Sequence, residues 1–474
     1  MSTPMRRITS NLKVVSQQSS RRSFTPTLSS WRLPSLTSSA IHEPASTESS
    51  RVTRIGRLMS LNDSLSSKTK EANRGVPHRL RGTGLWNAQP SPEQVDSTDA
   101  LKPLPTTRTM RDSWSSMDLN FSTDEALRAE YVGGVAKVRL GRLMEDFDTV
   151  AGAAAYRYIL PDGAPIDEAK RHGIYVVTAS VDRMDVLRPL SDLDGTVDLR
   201  LTGHVAYASE SSMEIFIRLA TVPKDDTASS TILIGRFAMA ARKYSGGKHL
   251  IPQLQVENAE EQELYNMGQE SRQTKKDIRS KSLETTPPTQ DEVKMLHDLF
   301  THEEDLFKRN ASTPANVVWM SDEAIRLKSA ILMHPQERNV HNKIFGGAVM
   351  RRAFEVGYSV ACLFARGPVT FIALDELTFK LPVEIGSLLV LDSRVTFSPI
   401  QGTHSSFHVS VEASTIDLHT GKRAVTNTFH FTFAADQPLE RHVLPRSYKQ
   451  AMAWLDAQRR RERGIAVRKA YEAV

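Results

Sequence analysis

Two acidic residues lie within small-residue stretches of helical spacing in this 474-residue chain. They are Asp148 in GRLMEDFDTVAGAAAYRY (141–158) and Glu355 in GGAVMRRAFEVGYSVACLF (346–364). A carboxylate there can take a proton from water or attack a carbonyl carbon. Gly346 and Gly347 open the second stretch. The first turn of a helix offers unbonded N–H groups at the positive end of its dipole, and glycine lets a substrate oxygen reach them. An acid plus a donor for a developing oxyanion are the parts needed for hydrolysis at an acyl carbon. Glu355 lies eight residues beyond Gly347, about 12 Å along a helix at 1.5 Å per residue. One carbonyl cannot touch both, so the donor of one helix must serve the acid of the other, with the two helices antiparallel. Glu145 and Asp146 precede Asp148 and are alternative acids, or plain helix-start charges.

Other chemistries find less support. The single cysteine, Cys362, lies deep in the second stretch and reads as core; one cysteine excludes a disulfide framework and a cysteine zinc cluster. No Gly-x-Ser-x-Gly elbow occurs, which argues against a serine hydrolase. His334 and His341 lie in the segment before the Gly-Gly start, and a histidine working with a carboxylate, here His341, would instead suit a dehydratase. The formal charge of +6 comes from the leader: residues 1–110 hold 16 Lys/Arg against 7 Asp/Glu, leaving 45 against 48 beyond. A body with a net −3 gives little support for nucleic-acid binding. No apolar run approaches the ~20 residues of a membrane span.

The elements that must position the acids repeat. Each small-residue helix is followed by alternating strands: IYVVTASVDRMDVLRPL, TVDLRLTGHVAYAS, MEIFIRLATV and ILIGRFAMAAR in the first copy. VTFIALDELTFKLPV, SLLVLDSRVTF, SFHVSVEAS and AVTNTFHFTFAA follow in the second. Asp182 and Asp375, like Pro189 and Pro382, are 193 apart, while the helices register at 207 (Asp148 with Glu355). The difference is a longer loop after the first helix, around LPDGAPIDEAKRH. One helix followed by four or five antiparallel strands, twice over, is an α+β unit repeated in one chain. Small side chains let a curling sheet come close to the helix it wraps, the pattern of a hotdog fold. The fold class is therefore two tandem hotdog domains forming an intrachain pseudo-dimer, which removes one pair of sheet edges.

The domain reading runs 1–42, 43–105, 106–245, 246–310, 311–440 and 441–474. Residues 1–42 carry six basic residues and no acid among many Ser and Thr, the composition of a mitochondrial transit peptide. Residues 43–105 are a leader too poor in large apolar side chains to fold. The first hotdog spans 106–245, a charged and partly helical linker 246–310, and the second hotdog 311–440. The tail 441–474 is helical, and its run Arg459-Arg460-Arg461 reads as a solvated face.

At MHPQERNVHNKIFGGAVMRRAFE (333–355) the chain resembles the double-hotdog acyl-coenzyme A thioesterases, and within them the mitochondrial thioesterase 9 type. GRLMEDFDTVAG before VVTASVDRMD, and Thr202-Gly203-His204-Val205 before SSMEI, carry the resemblance through the first repeat. It covers about residues 111–440. It implies hydrolysis of acyl-CoA to fatty acid and CoA with no metal or other cofactor, coenzyme A being part of the substrate. It also implies a catalytic pair of Asp148 with Asn339, the amide upstream of the Gly-Gly. Asp148 would be general base or nucleophile, Asn339 would position water or substrate, and the Gly347 N–H would polarise the carbonyl. Asn339 has a plainer reading as a turn or cap residue, and Gly347 as a packing residue.

The second site would pair Glu355 with the first helix start at Gly141. Val132 stands there where the amide would be, so this site is expected to be degenerate. Arg188, Lys380 and Arg394 are candidates to rim the coenzyme A phosphates. The expected setting is mitochondrial, matrix or matrix-facing, without nucleic acid or membrane span, as a homo-oligomer such as a trimer of pseudo-dimers. The alternatives are a non-catalytic acyl-CoA-binding scaffold and an enoyl-CoA hydratase or dehydratase.

Overall fold

The computed structural model describes residues 101–472 except 134–137, 189–195, 223–228, 310–315, 340 and 400–404. The transit-peptide reading and most of the leader lie outside the described residues, as does Pro189. The first half contains β1 (Thr107–Thr109), β2 (Ser115–Leu119), α1 (Glu125–Tyr131), α2 (Leu140–Ile159) and α3 (Glu168–Arg171). It continues with β3 (Ile174–Val186), β4 (Leu199–Ala208), β5 (Ser212–Thr221), β6 (Thr231–Lys243) and β7 (Gln253–Gln255). Between the halves come α4 (Ala259–Ser280) and α5 (Gln290–Arg309). The second half has β8 (Val317–Trp319), β9 (Arg326–Leu332), α6 (Gly346–Ala365), β10 (Val369–Leu374) and β11 (Leu377–Thr378). After them run β12 (Leu388–Phe397), β13 (Ser406–Ile416), β14 (Arg423–Ala435), β15 (His442–Leu444) and α7 (Tyr448–Glu472).

The strands of both halves join in one eleven-stranded sheet, ordered β2-β4-β5-β6-β3-β10-β14-β13-β12-β9, with β11 also on β3. The seam is the antiparallel pairing of β3 with β10 and β11, registered at Met184 with Leu374 and Val181 with Leu377. Arg183 on β3 reaches across it to Asp375 and also binds Asp185 at 2.8 Å. α2 packs on β2 to β6, α6 packs on β9, β10 and β12 to β14, and the two helices pack on each other.

Their packing explains the small residues. Strand glycines serve the first helix: a Cβ on Gly203 would come 2.9 Å from Val150, and one on Gly235 would come 3.2 Å from Phe147. In the second half the helix supplies the space, since a Cβ on Gly357 would lie 3.1 Å from Phe431. Phe431 belongs to an aromatic cluster with Phe354, Phe371 and Phe433 between α6 and the sheet. Where the helices cross, Gly141 faces Arg351 and Gly347 faces Glu145. Contacts ascending one helix descend the other, so the pair is antiparallel.

The outer face of the sheet carries the remaining helices. α4 lies on β4 and α7 on β12 and β13. The basic run of the tail is largely engaged in packing, not the solvated face expected from composition. Arg459 makes a bidentate pair with Glu292 of α5 at 2.6 and 2.7 Å and also bonds the Lys281 carbonyl. Arg460 pairs with Asp456 at 2.8 Å, and Arg461 donates to Ser406 at 3.2 Å. Gly268 of α4 meets Tyr207 of β4, where a Cβ would come within 2.4 Å of the tyrosine Cβ. Gly→Ala inside an exposed helix ordinarily stabilises by about 1 kcal/mol. Gly268→Ala is expected to do the opposite, losing about 1–3 kcal/mol through overpacking, as measured by urea unfolding.

Candidate active site

Asp148 lies two turns into α2 on the face turned to β3 and α6, and is only 2% exposed. A carboxylate so buried must find donors, and two elements supply them. The Thr178 hydroxyl on β3 donates to its Oδ1 at 2.7 Å. The backbone N–H of Gly347 donates to Oδ2 at 2.7 Å, across 199 residues of chain. Gly347 is in the first turn of α6, where the N-cap Phe345 supplies no side-chain bond. Asp148 thus caps α6 in trans, an anion at the positive end of a helix. The Gly347 N–H was expected to face the substrate carbonyl; here it holds the acid, because a buried anion next to an uncapped helix start leaves neither group unsatisfied. Glycine is also a steric requirement, since a Cβ on residue 347 would come 2.9 Å from the Glu145 Cα and 2.5 Å from the Phe345 ring.

The neighbouring acids have other partners. Glu145 is held by Arg142 at 2.6 Å and Arg351 at 3.2 Å, and Arg351 continues to Glu337 at 3.0 Å. Asp146 accepts from Tyr131 at 2.6 Å; burial, then the adjacent carboxylate, push that phenol well above its ordinary range. None of these three partners lies in the first turn of α6, where Asp148 finds the Gly347 N–H.

Asn339 lies in the tight turn before α6. Its Oδ1 accepts from the N–H groups of His341 at 2.9 Å and Lys343 at 3.1 Å, and Asn342 closes the turn with φ 57°, a conformation asparagine tolerates. The turn role weighed for Asn339 is therefore real. It also orients the amide: with Oδ1 taken by two donors, Nδ2 is the end left to donate elsewhere.

The second constellation is built differently. Glu355 is 43% exposed and pairs with Arg139, the N-cap of α2, at 3.0 Å. At the 207-residue offset, Arg139 replaces Gly346, Leu140 replaces Gly347 and Val132 replaces Asn339. The counterpart of Thr178 is Phe371: Thr178 pairs with Met239 and Phe371 with Phe433 at equivalent places in the two sheets. Gly141 packs against Arg351 and does not meet Glu355 through any bond among the described residues.

No family model matches the chain. The chain is 34% identical over 356 residues to the mitochondrial acyl-coenzyme A thioesterase 9 of Bos taurus, covering 74% of this chain and 78% of that protein. The Homo sapiens thioesterase 9 is 32% identical over 367 residues, covering 77% and 79%. The chain belongs to the acyl-coenzyme A thioesterase family. The mitochondrial thioesterase 10 of Mus musculus is 32% identical, with 74% and 78% covered. Among solved structures, an acyl-CoA hydrolase from Staphylococcus aureus is 23% identical, covering 32% of this chain and 91% of its own, with a TM-score of 0.29. An acyl-CoA hydrolase from Agrobacterium tumefaciens is 18% identical, covering 70% and 97%, with a TM-score of 0.21.

For a thioesterase the remaining candidates sort as follows. His341 is bonded at both ring nitrogens, to Tyr156 and Tyr244. Burial pushes the Cys362 thiol up, away from the thiolate a nucleophile needs. Arg188 and Lys380 are exposed, whereas Arg394 lies 3.5 Å from Asp392, which Arg326 also grips at 2.5 and 2.8 Å. Among the described residues no group of three or more His, Cys, Asp or Glu is placed to hold a metal ion.

Thr178 is the residue that sequence reading missed. Its signal was present, a hydroxyl in the alternating set Ile174, Val176, Thr178, but a bulge between Thr178 and Ser180 breaks the alternation just beyond. Thr178→Val keeps the shape and removes one donor to Asp148. We expect kcat in a thiol-release assay to fall about 10- to 100-fold, in line with about 1.5–3 kcal/mol for one hydrogen bond to a charged group, and Thr178→Ser to retain most of it.

Proposed function

We propose that this chain hydrolyses acyl-CoA to free acid and CoA at one site built between two tandem hotdog halves, an intrachain pseudo-dimer. The observation that carries the proposal is the 2.7 Å bond from the Gly347 N–H to Asp148, which brings the acid of one half to the helix start of the other. Asp148 acts as general base. It takes a proton from water as the water oxygen bonds to the thioester carbon, and that proton passes to the coenzyme A sulfur as the C–S bond breaks. Asn339 Nδ2 positions the carbonyl or the water. The positive end of the α6 dipole stabilises the oxyanion, while the Gly347 N–H holds Asp148 in place. The chemistry requires no metal and no cofactor beyond the coenzyme A of the substrate.

Glu355 does not turn over substrate in this reading. Its Arg139 partner neutralises it, and no glycine or amide matches those of the working site. Arg188 and Lys380 rim the coenzyme A phosphates; Arg394, paired with Asp392, is the weakest of the three candidates. We infer a mitochondrial, matrix-facing setting from the basic, acid-free residues 1–42 and from the mitochondrial thioesterases 9 and 10 among the relatives. No described helix is long and apolar enough to cross a membrane. We also infer a homo-oligomer, a trimer of pseudo-dimers, because β2 and β9 end the sheet without outer partners among the described residues and such edges favour being covered.

Thiol release from a panel of acyl-CoAs tests the assignment. Asp148→Asn is expected to lower kcat by about 10²–10⁴, the range for loss of a general base, and Asn339→Ala by about 10²-fold, as for one lost oxyanion donor. Glu355→Gln should stay within about threefold of wild type, being outside the chemistry. Undiminished turnover by Asp148→Asn would remove the mechanism, and binding without turnover by the wild type would make the chain a scaffold.

A further inference from the structure

We propose that His341 is a positioning residue for the hydrolysis: it clasps the turn bearing Asn339 to the first half of the chain by bridging Tyr156 and Tyr244. The inference rests on the reading of Asp148 and Asn339 as the working pair. Tyr156 is on α2, eight residues beyond Asp148, and Tyr244 directly follows β6. The Tyr156 hydroxyl lies 2.8 Å from His341 Nε2, and the Tyr244 hydroxyl 2.8 Å from Nδ1. Tyr175 packs its ring 5.0 Å from the imidazole and also 5.0 Å from the Tyr244 ring. The turn is thus held to three elements of the opposite half.

The bonding pattern selects one tautomer. The Tyr156 hydroxyl accepts the Val176 N–H at 3.2 Å, so its own proton is available for Nε2, and Nδ1–H then donates to Tyr244. Burial, reinforced by the charge of Lys170, lowers the imidazole to about 4. A neutral ring with both nitrogens engaged is a poor proton carrier but a good bridge. β3 fastens the neighbouring anchors on the same helix, with Val176 N–H bonding Tyr156 and the Thr178 hydroxyl bonding Asp148.

The link to catalysis is short. The Asn339 carboxamide oxygen accepts the backbone N–H of His341 itself, so any movement of His341 is passed to that amide. At its other end the turn is tied where Phe345 N–H bonds the Glu337 carbonyl at 2.8 Å, one residue before α6 begins. Two ends of a nine-residue loop are therefore held: the near end by α6, which Asp148 caps, and the tip by the two tyrosines. Without the tip bonds, Asn339 would keep its local turn and lose the tie that His341 gives that turn to the first half.

Thiol release at saturating and limiting acyl-CoA, with thermal unfolding of the full chain, tests this. His341→Ala is expected to lower kcat by about 10- to 100-fold, the effect of a catalytic group displaced by about 1 Å, with KM within about threefold. His341→Gln, whose amide can accept from Tyr156 and donate to Tyr244, should recover to within about fivefold of wild type with an unchanged pH profile. Tyr244→Phe, at a half-exposed site that should fold normally, should show a smaller loss in kcat. A rate for His341→Ala within twofold of wild type overturns the proposal, as does His341→Gln no better than alanine. A loss that vanishes once rates are corrected for folded protein overturns it too. If His341→Ala does not fold, the glutamine and Tyr244→Phe variants decide on the same criteria. Asp148→Asn in the same assay separates the two readings. Its retained activity would sink the underlying mechanism, whereas an inactive Asp148→Asn beside wild-type rates for the His341 variants would sink only the clasp.

Discussion

A buried carboxylate answered by the start of a foreign helix is the constraint on which this molecule turns. Asp148 is almost wholly removed from water, and an ion in that position must be met by donors or it destabilises the fold by several kcal/mol. The uncapped first turn of α6 meets it, with the Thr178 hydroxyl on the other oxygen. Three further features follow. The helices must cross antiparallel, residue 347 must lack a side chain, and the strands beneath must pair across a seam so that both helices lie on one continuous sheet. The acid and the dipole therefore act as a structural lock between the halves.

The repeat makes the asymmetry instructive. The second constellation has kept its acid, yet Arg139, the N-cap of α2, stands at the 207-residue offset where the Asp148 constellation has Gly346. A long guanidinium at a helix start satisfies a carboxylate from outside, so Glu355 stays half-exposed with its charge matched by a side chain. Phe371 in place of Thr178 removes the second donor and adds an aromatic to the cluster around Phe354 and Phe431. One half has thus favoured packing where the other has kept polar donors.

Around this centre the chain uses charge as well as apolar area to attach its helices. Lys275 of α4 reaches Asp182 on β3, Glu214 pairs with Arg236 nearby at 3.4 Å, and burial pushes the Glu214 carboxyl up to about 7. Arg459 joins α7 to α5. The segment between the halves, charged and partly helical by composition, is therefore fastened to the rest through both of its helices.

The sequence alone determined the repeat, the two small-residue helices, most strands, and the pairing of Asp148 with the Gly-Gly start. Those features are written in spacing: 3.6-residue and two-residue periodicities and constant offsets survive whatever the chain packs against. It also carried the inequality of the two constellations, since Val132 stands where the other has Asn339; Arg139 emerged only as the partner of Glu355 in the fold. Tertiary structure alone decided which of Glu145, Asp146 and Asp148 bonds the first turn of α6. Glu145 and Asp148, three residues apart, share a helix face, and Arg351 pairs with the one while the Gly347 N–H bonds the other. The same holds for Thr178 and His341. A strand bulge conceals where the alternation around the threonine leads, and the histidine acquires its partners from residues 97 and 185 positions away, a closeness that no local pattern encodes.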